Sequence, residues 1–541
     1  HAKDGNLHFL IAQSFNTDSD VNRFAAFMND LVQVVSVKYD GALKAEHGTG
    51  RNMAPFVATE WGEVAYAIMR DLKALLDPDN MLNPGVIINP DPQAHITHVK
   101  GMAKVSPEVD KCIECGFCES KCPSRNLTLT PRQRIVVQRE IAHLQTLESD
   151  AHSATSPELI ASLNADFEYS GVDTCAVDGL CATACPVGIN TGELTKRLRT
   201  QGLSKRSELN ALWVAEHFKS VEQAVGLAVR AGHLLENLPT PFRYKGNSPQ
   251  KETHENLSFL SLATKVAEKI TGLTLPKWNA YIPYPSRIHS SDSKTAEKQF
   301  IYFPSCISRQ LGIPKSSNHD SLSLADTFMA IAKRASVMLT IPAGAIGTCC
   351  GMPFSSKGYD AAYQATIHQS IEKFWEWSEH GKYAIIIDTT SCTHSLRTCL
   401  NSLSNTDKDI YRQLTFLDGI EFIHDVLLPR LTINPVPTDV ILHPNCSARK
   451  LGLDFKMTAI AKRCARSAAV PLELDCCAFA GDRGFLFPEL TASATKKESA
   501  EVNLHNYGGY YSSNITCEIG MSVATDKEYR SIVYLVEQAS R

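Results

Sequence analysis

The pattern of apolar and polar positions changes character along the chain. Near its start, Asp4-Gly5-Asn6 reads as a turn and the short apolar run Leu7 to Ala12 as a strand. Arg23 to Val35 and then Trp61 to Leu76 have apolar residues at helical spacing, and Asp77-Pro78-Asp79-Asn80 stops the second helix. Another helix is expected from about Arg132 to Leu147, then a polar stretch at 148–157, and a further helix begins at Thr191 to Arg199. Residues 207–237 read as one long amphipathic helical region. Its apolar face either packs on its own domain or lies on a membrane surface. Residues 238–297, rich in Pro, Ser, Lys and Thr, read as a connector. From Lys298 short apolar strands alternate with helices, the rhythm of an α/β fold.

That last region repeats itself. The strand FIYFPSC delivers Cys306, Cys349-Cys350-Gly351 follows, and YAIIIDTTSC brings Cys392. VILHPNC then delivers Cys446, Cys476-Cys477 follows, and NITC brings Cys517. Corresponding cysteines lie 140, 127 and 125 residues apart, which predicts an internal duplication. Vicinal cysteines joined by two distant ones make a soft-metal nest. Iron–sulfur, zinc or a redox disulfide all suit it. Cys399 and Cys464 fit neither set and read as ordinary buried thiols.

Composition narrows the class. A length of 541 residues allows three or four domains, and 43% hydrophobic with 21% charged residues is ordinary for a globular protein. A net charge of −4 without a long basic block gives no nucleic-acid signature. No apolar run reaches the eighteen or so residues that a membrane span needs, and no signal peptide opens the chain. Seventeen cysteines, mostly in metal-like spacings, argue for a reducing compartment and metal rather than disulfides.

The strongest chemical signal is the run Cys112, Cys115, Cys118, Cys122, Pro123. Two-residue gaps let three thiolates of one turn face the same iron–sulfur cube, and the fourth, before proline, usually serves a second cluster. A partner run reads Cys175, Asp178, Cys181, Cys185, Pro186, with Asp178 where the second cysteine should be. By the crossover rule one cluster uses Cys112, Cys115, Cys118 and Cys185. The other uses Cys122, Cys175 and Cys181, completed by Asp178, by water or by nothing. Carboxylate is a harder ligand for iron than thiolate, so the second cluster is either an oxygen-ligated [4Fe-4S] or a [3Fe-4S] cluster. Alternatively, Asp178 is a solvated turn residue before Gly179.

Three further motifs, HAKDGNLH, AEHGTGR and LNPGV, resemble the C-terminal part of the FAD-linked oxidases of the vanillyl-alcohol oxidase superfamily. The resemblance implies that His1, His8 and Glu46 hold a divalent metal such as Zn or Mn at the substrate hydroxyl. It also implies that His47 is the base and that Asn6 and Asn83 neighbour the flavin. Arg51 is a candidate for the substrate carboxylate, with a surface ion pair as the bland alternative. The chemistry is coherent, because a metal lowers the hydroxyl pKa while an imidazole takes the proton. The duplicated region resembles the cysteine-rich CCG domains of heterodisulfide reductase B subunits and glycolate oxidase iron–sulfur subunits, with Ala478 replacing the glycine in the second half.

The expected architecture is an α+β multidomain chain. It comprises the C-terminal part of an FAD-linked oxidase cap (1–92), a helical two-cluster ferredoxin-type domain (93–200), a helical region and connector (201–297), and duplicated α/β CCG domains (298–430 and 431–541). It resembles the C-terminal half of bacterial FAD/iron–sulfur D-lactate dehydrogenases, with D-2-hydroxyglutarate and glycolate as alternative substrates. FAD would be held mainly by a half preceding the motifs, so the sequence reads as a fragment that alone should not hold FAD. The implied acceptor is a quinone or a c-type cytochrome, and the implied location is cytoplasmic or peripheral on the inner face of the cytoplasmic membrane. The competing classes are a non-catalytic electron-transfer subunit and a disulfide reductase whose CCG pair is itself catalytic.

Overall fold

The computed structural model describes residues 5–8, 11, 13–44, 48–149, 157–236, 264, 268–269, 274–288, 290, 299–316 and 322–541. The chain forms two compact units. The first contains His1–Cys115 and Ile135–Asn164, and the second contains Gly116–Arg134 and Ala165–Arg541.

In the first unit, the helix Asp18–Val32 starts where the Thr17 side chain accepts the Asp20 N–H, and it continues into a wider turn at Gln33–Lys38. Its core is small, built on Met28, Val32, Met53 and Phe56. The helix expected over Trp61–Leu76 is two helices, Val57–Trp61 and Glu63–Leu76. Gly62 between them adopts φ 82°, which only glycine takes without strain. Asp77 ends the second by accepting the Met81 and Leu82 N–H groups, both at 2.9 Å. Helix Glu63–Leu76 buries none of its residues. Val64, Ile68, Leu72, Leu75 and Leu76 form an exposed apolar stripe along it. The strand expected at Leu7–Ala12 is absent at its described positions, Leu7, His8 and Ile11; an isolated strand finds no ladder partner there.

The second unit is built on two parallel four-stranded sheets. The first contains β1 (Phe300–Phe303), β2 (Leu339–Thr340), β3 (Ile385–Ile387) and β4 (Phe416–Asp418) in the order β2-β1-β3-β4. The second contains β5 (Val436–Leu442), β6 (Ala465–Ala469), β7 (Gly509–Ser512) and β8 (Tyr529–Ser531) in the matching order β6-β5-β7-β8. The run Ile385-Ile386-Ile387 is fully buried, as expected of a parallel strand covered on both faces. In each sheet the chain leaves the first strand toward one side and returns on the other. This creates a topological switch point between β1 and β3, and between β5 and β7, where open α/β sheets form their crevices.

The helical region at 207–237 is likewise two helices, Lys205–Glu216 and Phe218–Glu236. His217 leaves the helical conformation between them and stacks on Trp213 at 4.7 Å. Ala211 and Ala215 are buried, and Lys205–Glu216 packs on the helix Asp360–Trp377 of the first α/β half. Leu209, Trp213, Leu227 and Leu234 remain exposed. Among the described residues no helix is long and apolar enough to cross a membrane. The helices expected at 132–147 and from 191 are present as Pro131–Ser149 and Thr191–Gly202. The connector at 238–297 lies largely outside the described residues.

Candidate metal centres

His1, Glu46 and His47 lie outside the described residues. His8, Arg51 and Asn83 are exposed, and Asn6 is half-buried. The LNPGV segment meets the Gly-rich loop through the Ile87 N–H, which donates to the Gly50 carbonyl at 3.4 Å. Asn83 (φ 49°) and Gly85 (φ 78°) make the turn that brings it there.

In the first cysteine run, Cys112 and Cys115 belong to the first unit, while Cys118 and Cys122 belong to the second, as does Cys185. Around Cys112 the backbone is shaped for a sulfur ligand. Glu114 adopts φ 58° and points its N–H at the Cys112 Sγ at 3.4 Å. Arg139 fastens this turn from within the same unit, donating to the Cys112 carbonyl at 2.9 Å and to the Glu114 carboxylate at 2.8 Å.

Cys122, Cys175, Cys181 and Asp178 line one small pocket together with Arg134. Arg134 is 1% exposed and donates to the Gly171 carbonyl (2.8 Å) and to Ser124 Oγ (3.1 Å), leaving an Nη1 at 3.6 Å from Cys122 Sγ. A buried guanidinium beside thiols compensates the negative charge of thiolates and of a cluster. Burial disfavours ionisation of Cys175, yet Arg134 and Arg199 outweigh it and hold its thiol below the usual range. Burial prevails at Cys181, whose thiol is pushed up to about 12, with Asp178 adding to the shift. Asp178 accepts the Leu180 N–H at 3.2 Å through Oδ1, whereas Oδ2 is buried without a hydrogen-bond partner. Burial raises the carboxyl's pKa, opposed by the neighbouring Cys476 thiol and by Lys450. The Asp178 carboxylate thus lines the same pocket as the three thiols while lying against Cys476.

Each α/β half gathers its four cysteines at its switch point. Cys306 and Cys446 occupy the first turns of helices capped by Ser305 and Asn445, directly after β1 and β5. Cys392 and Cys517 occupy the first turns of the helices after β3 and β7. Neighbouring thiols and burial outweigh the helix dipole there and push the Cys306, Cys392 and Cys446 thiols up. The vicinal pairs complete the sets: Cys306 and Cys349 Sγ atoms lie 4.0 Å apart, Cys349 adjoins Cys350, and Cys350 adjoins Cys392. The second half repeats the chain from Cys446 through Cys476 and Cys477 to Cys517. Gly351 (φ 79°) and Ala478 (φ 57°) make the same left-handed turn after each pair, so the alanine keeps the loop's path at a conformational cost. Cys399 and Cys464 are buried in the core, outside either set.

One candidate metal-binding residue has no counterpart among the sequence-based expectations. His443 is fully buried, its Nδ1 bonds Glu498 at 2.7 Å, and its ring also lies against the Cys477 thiol. A ring nitrogen of His443 and the Sγ atoms of Cys477 and Cys517 lie within 4.8 Å of one another. Burial opposes protonation of the imidazole, but Glu498 overcomes it and pushes the pKa up to about 10. A carboxylate behind a histidine is the usual way to orient a metal-binding imidazole. The available signal was the alignment of VILHPNC on FIYFPSC, which sets His443 opposite Phe303.

Residues 1–87 match the family of FAD linked oxidases, C-terminal domain, and residues 108–189 match the 4Fe-4S dicluster domain. The chain is similar to flavin-linked 2-hydroxy-acid dehydrogenases. It is 36% identical to a probable mitochondrial D-lactate dehydrogenase of Danio rerio over 88 residues, 16% of this chain and 18% of that protein. It is 35% identical to the mitochondrial D-lactate dehydrogenase [cytochrome] of Kluyveromyces lactis over 95 residues, 18% of this chain and 16% of that protein. A longer likeness, 26% over 244 residues, joins it to the D-2-hydroxyglutarate dehydrogenase of Haemophilus influenzae, covering 35% of this chain and 23% of that protein. The matched stretches thus span about a fifth of these curated relatives.

Proposed function

We propose that the chain is the electron-transferring portion of an FAD- and iron–sulfur-dependent D-2-hydroxy-acid dehydrogenase, with D-lactate as the first candidate substrate. In this reading the segment 1–92 supplies His1, His8 and Glu46 to a divalent metal such as Zn or Mn, His47 as base, and Arg51 to the substrate carboxylate. Asn6 and Asn83 adjoin the flavin. The unpartnered apolar stripe of helix Glu63–Leu76 suits a segment that packs against a larger flavin-binding body. FAD accepts the hydride, and iron–sulfur clusters held by the two cysteine runs carry the electrons singly. Asp178 supplies an oxygen ligand to the second cluster, making it either an oxygen-ligated [4Fe-4S] or a [3Fe-4S] cluster.

The observation that carries this reading is the contact between the second-cluster pocket and the second α/β half, where Asp178 lies against Cys476 and acts on Cys446. Arg483 binding Asp173 (2.7 Å to its carbonyl) and Arg125 paired with Asp475 (2.8 Å) fasten the two regions together. With clusters bound, the cysteine sets on either side of this contact would form a wire, and the duplicated halves would continue it as CCG domains. The acceptor is a quinone or a c-type cytochrome. The exposed Leu209, Trp213, Leu227 and Leu234 suit peripheral attachment to a membrane.

The test is anaerobic mixing of the full-length protein with D-lactate, D-2-hydroxyglutarate and glycolate in turn, following cluster absorbance. Bleaching by at least one acid, lost in His47→Ala, is expected. Clusters reduced by dithionite but by none of these acids would contradict the reading.

A further inference from the structure

Within the first unit a side-chain clamp ties the stretch that matches the FAD-linked oxidases to the turn that carries Cys112. Asn16 stands just before the helix Asp18–Val32, and its amide pairs both ways with the backbone of Met102. Its Nδ2 donates to the Met102 carbonyl at 2.6 Å, and its Oδ1 accepts the Met102 N–H at 2.8 Å. The Met102 sulfur accepts from Arg139 Nη1 at 3.1 Å. Arg139 is 6% exposed, and the same guanidinium holds the Cys112 carbonyl and the Glu114 carboxylate. Beside this path lies a cavity of about 230 Å³, with Gln13, Ser14 and Asn16 on one side and Lys104, Asp110 and Cys112 on the other. Met102 belongs to neither matched stretch, since it falls between residues 1–87 and 108–189. We propose that Asn16 and Arg139 are positioning residues for electron entry. They hold the cluster that Cys112 ligates against the flavin-linked segment and raise its potential, so that electrons leave the flavin through it. The proposal rests on the reading of the chain as a flavin- and iron–sulfur-dependent dehydrogenase.

Three features select this role over a plain fastening. Asn16 is exposed and lies outside the small core of this unit, so its paired amide sets the position of Met102 without holding the core together. Around the turn, Arg139, Lys100, Lys104 and Lys111 outnumber Glu114 and Asp110. That positive balance, with the Glu114 N–H directed at Cys112 Sγ, stabilises a cluster that has gained an electron. The second-cluster pocket meets the second α/β half at Cys476, which gives electrons arriving at Cys112 an onward path. The step balances. Each electron that leaves the flavin reduces the cluster by one and moves on before the next arrives, and the flavin's protons pass to solvent.

The test uses the full-length protein, mixed anaerobically with a D-2-hydroxy acid while flavin and cluster reduction are followed separately. Asn16→Ala should leave flavin reduction within about twofold of wild type and slow cluster reduction about tenfold or more. Asn16→Asp keeps the acceptor for the Met102 N–H and loses the donor, and should fall between the two. Arg139→Gln keeps a donor for the Cys112 carbonyl and removes the charge. In a dithionite titration followed by EPR it should lower the midpoint potential of one cluster and leave the other unmoved, and Arg139→Lys should restore it. Asn16 is exposed, so its variants keep the proposal open to refutation where an Arg139 variant loses iron. Cluster reduction as fast as wild type in Asn16→Ala, or slowed no more than flavin reduction, overturns the proposal, and so do two unmoved potentials in Arg139→Gln. Those outcomes leave the dehydrogenase reading standing. A wild-type flavin that no D-2-hydroxy acid reduces removes that reading instead, and the dithionite titration still decides what Arg139 does.

Discussion

The two α/β halves share strand order, cysteine positions and the left-handed turn after each vicinal pair, yet their walls differ. At the end of β1 stands Phe303, packed on Phe374 at 5.0 Å, and at the corresponding end of β5 stands His443, bonded to Glu498. Arg309 follows Cys306 and is bound by Glu222 (2.9 Å), whereas the equivalent Arg449 leaves an Nη1 buried without a partner. Asp418 caps the helix after β4, and Ser531 caps the one after β8. The first set of cysteines faces an apolar cavity, and the second faces Asp178. The two halves place their cysteines alike at the switch point and differ in what surrounds them.

The largest expected effect comes from Glu222→Ala, which strands the Arg309 guanidinium in a site where both partners are 3% exposed. A broken buried pair costs about 3–5 kcal/mol. Denaturant unfolding should show it, and Arg449→Leu in the second half should cost far less.

Next is the pH response of Asp418, which burial raises to about 6 despite its bonds to Thr393 and the Ile420 N–H. Because the folded-state value is the higher one, its contribution is fully present below about pH 4 and is lost as pH rises through about 6. A shift of this size is worth on the order of 2–3 kcal/mol. Calorimetry of Asp418→Ser, which imitates the second half, should show a flatter stability profile between pH 4 and 7; an unchanged slope would show that other groups set it.

His443→Phe gives the second half the first half's wall. Loss of even the carboxylate that orients such a ligand typically weakens metal binding about 10- to 100-fold, and loss of the imidazole should cost at least as much. Chelator-competition metal analysis should show weaker retention in the second half, whereas Phe303→Leu should leave retention unaltered. Smallest is Ala478→Gly, which relieves a left-handed alanine and should raise stability by about 1 kcal/mol. The reciprocal Gly351→Ala should destabilise, since its Cβ would meet the Tyr363 ring at 2.7 Å.

Much of this comparison was legible in the sequence, because cysteine spacing and strand–helix alternation are local signals. The cluster runs, the duplication and the helix at Pro131–Ser149 follow from them. The break at His217 did not, since the amphipathic period runs through it and only the local conformation and ring stacking mark the change. The role of His443 was hidden because one histidine beside a proline carries no ligand signal until Glu498, 55 residues away, is folded against it. The neighbourhood of Asp178 and Cys476 and the cavity over Cys306 arise from docking of segments far apart in the chain, which no local pattern encodes.

The central claim is that the two cysteine runs carry clusters coupled through Asp178 to the second α/β half. Anaerobic iron and acid-labile sulfide analysis with low-temperature EPR, before and after dithionite, tests it most directly. About seven to eight irons are expected from the two runs, with any excess assigned to the α/β halves. Asp178→Cys should change the spectrum of one cluster and leave the other unaltered. Little iron accompanied by several zinc ions, or a spectrum indifferent to Asp178→Cys, would contradict it.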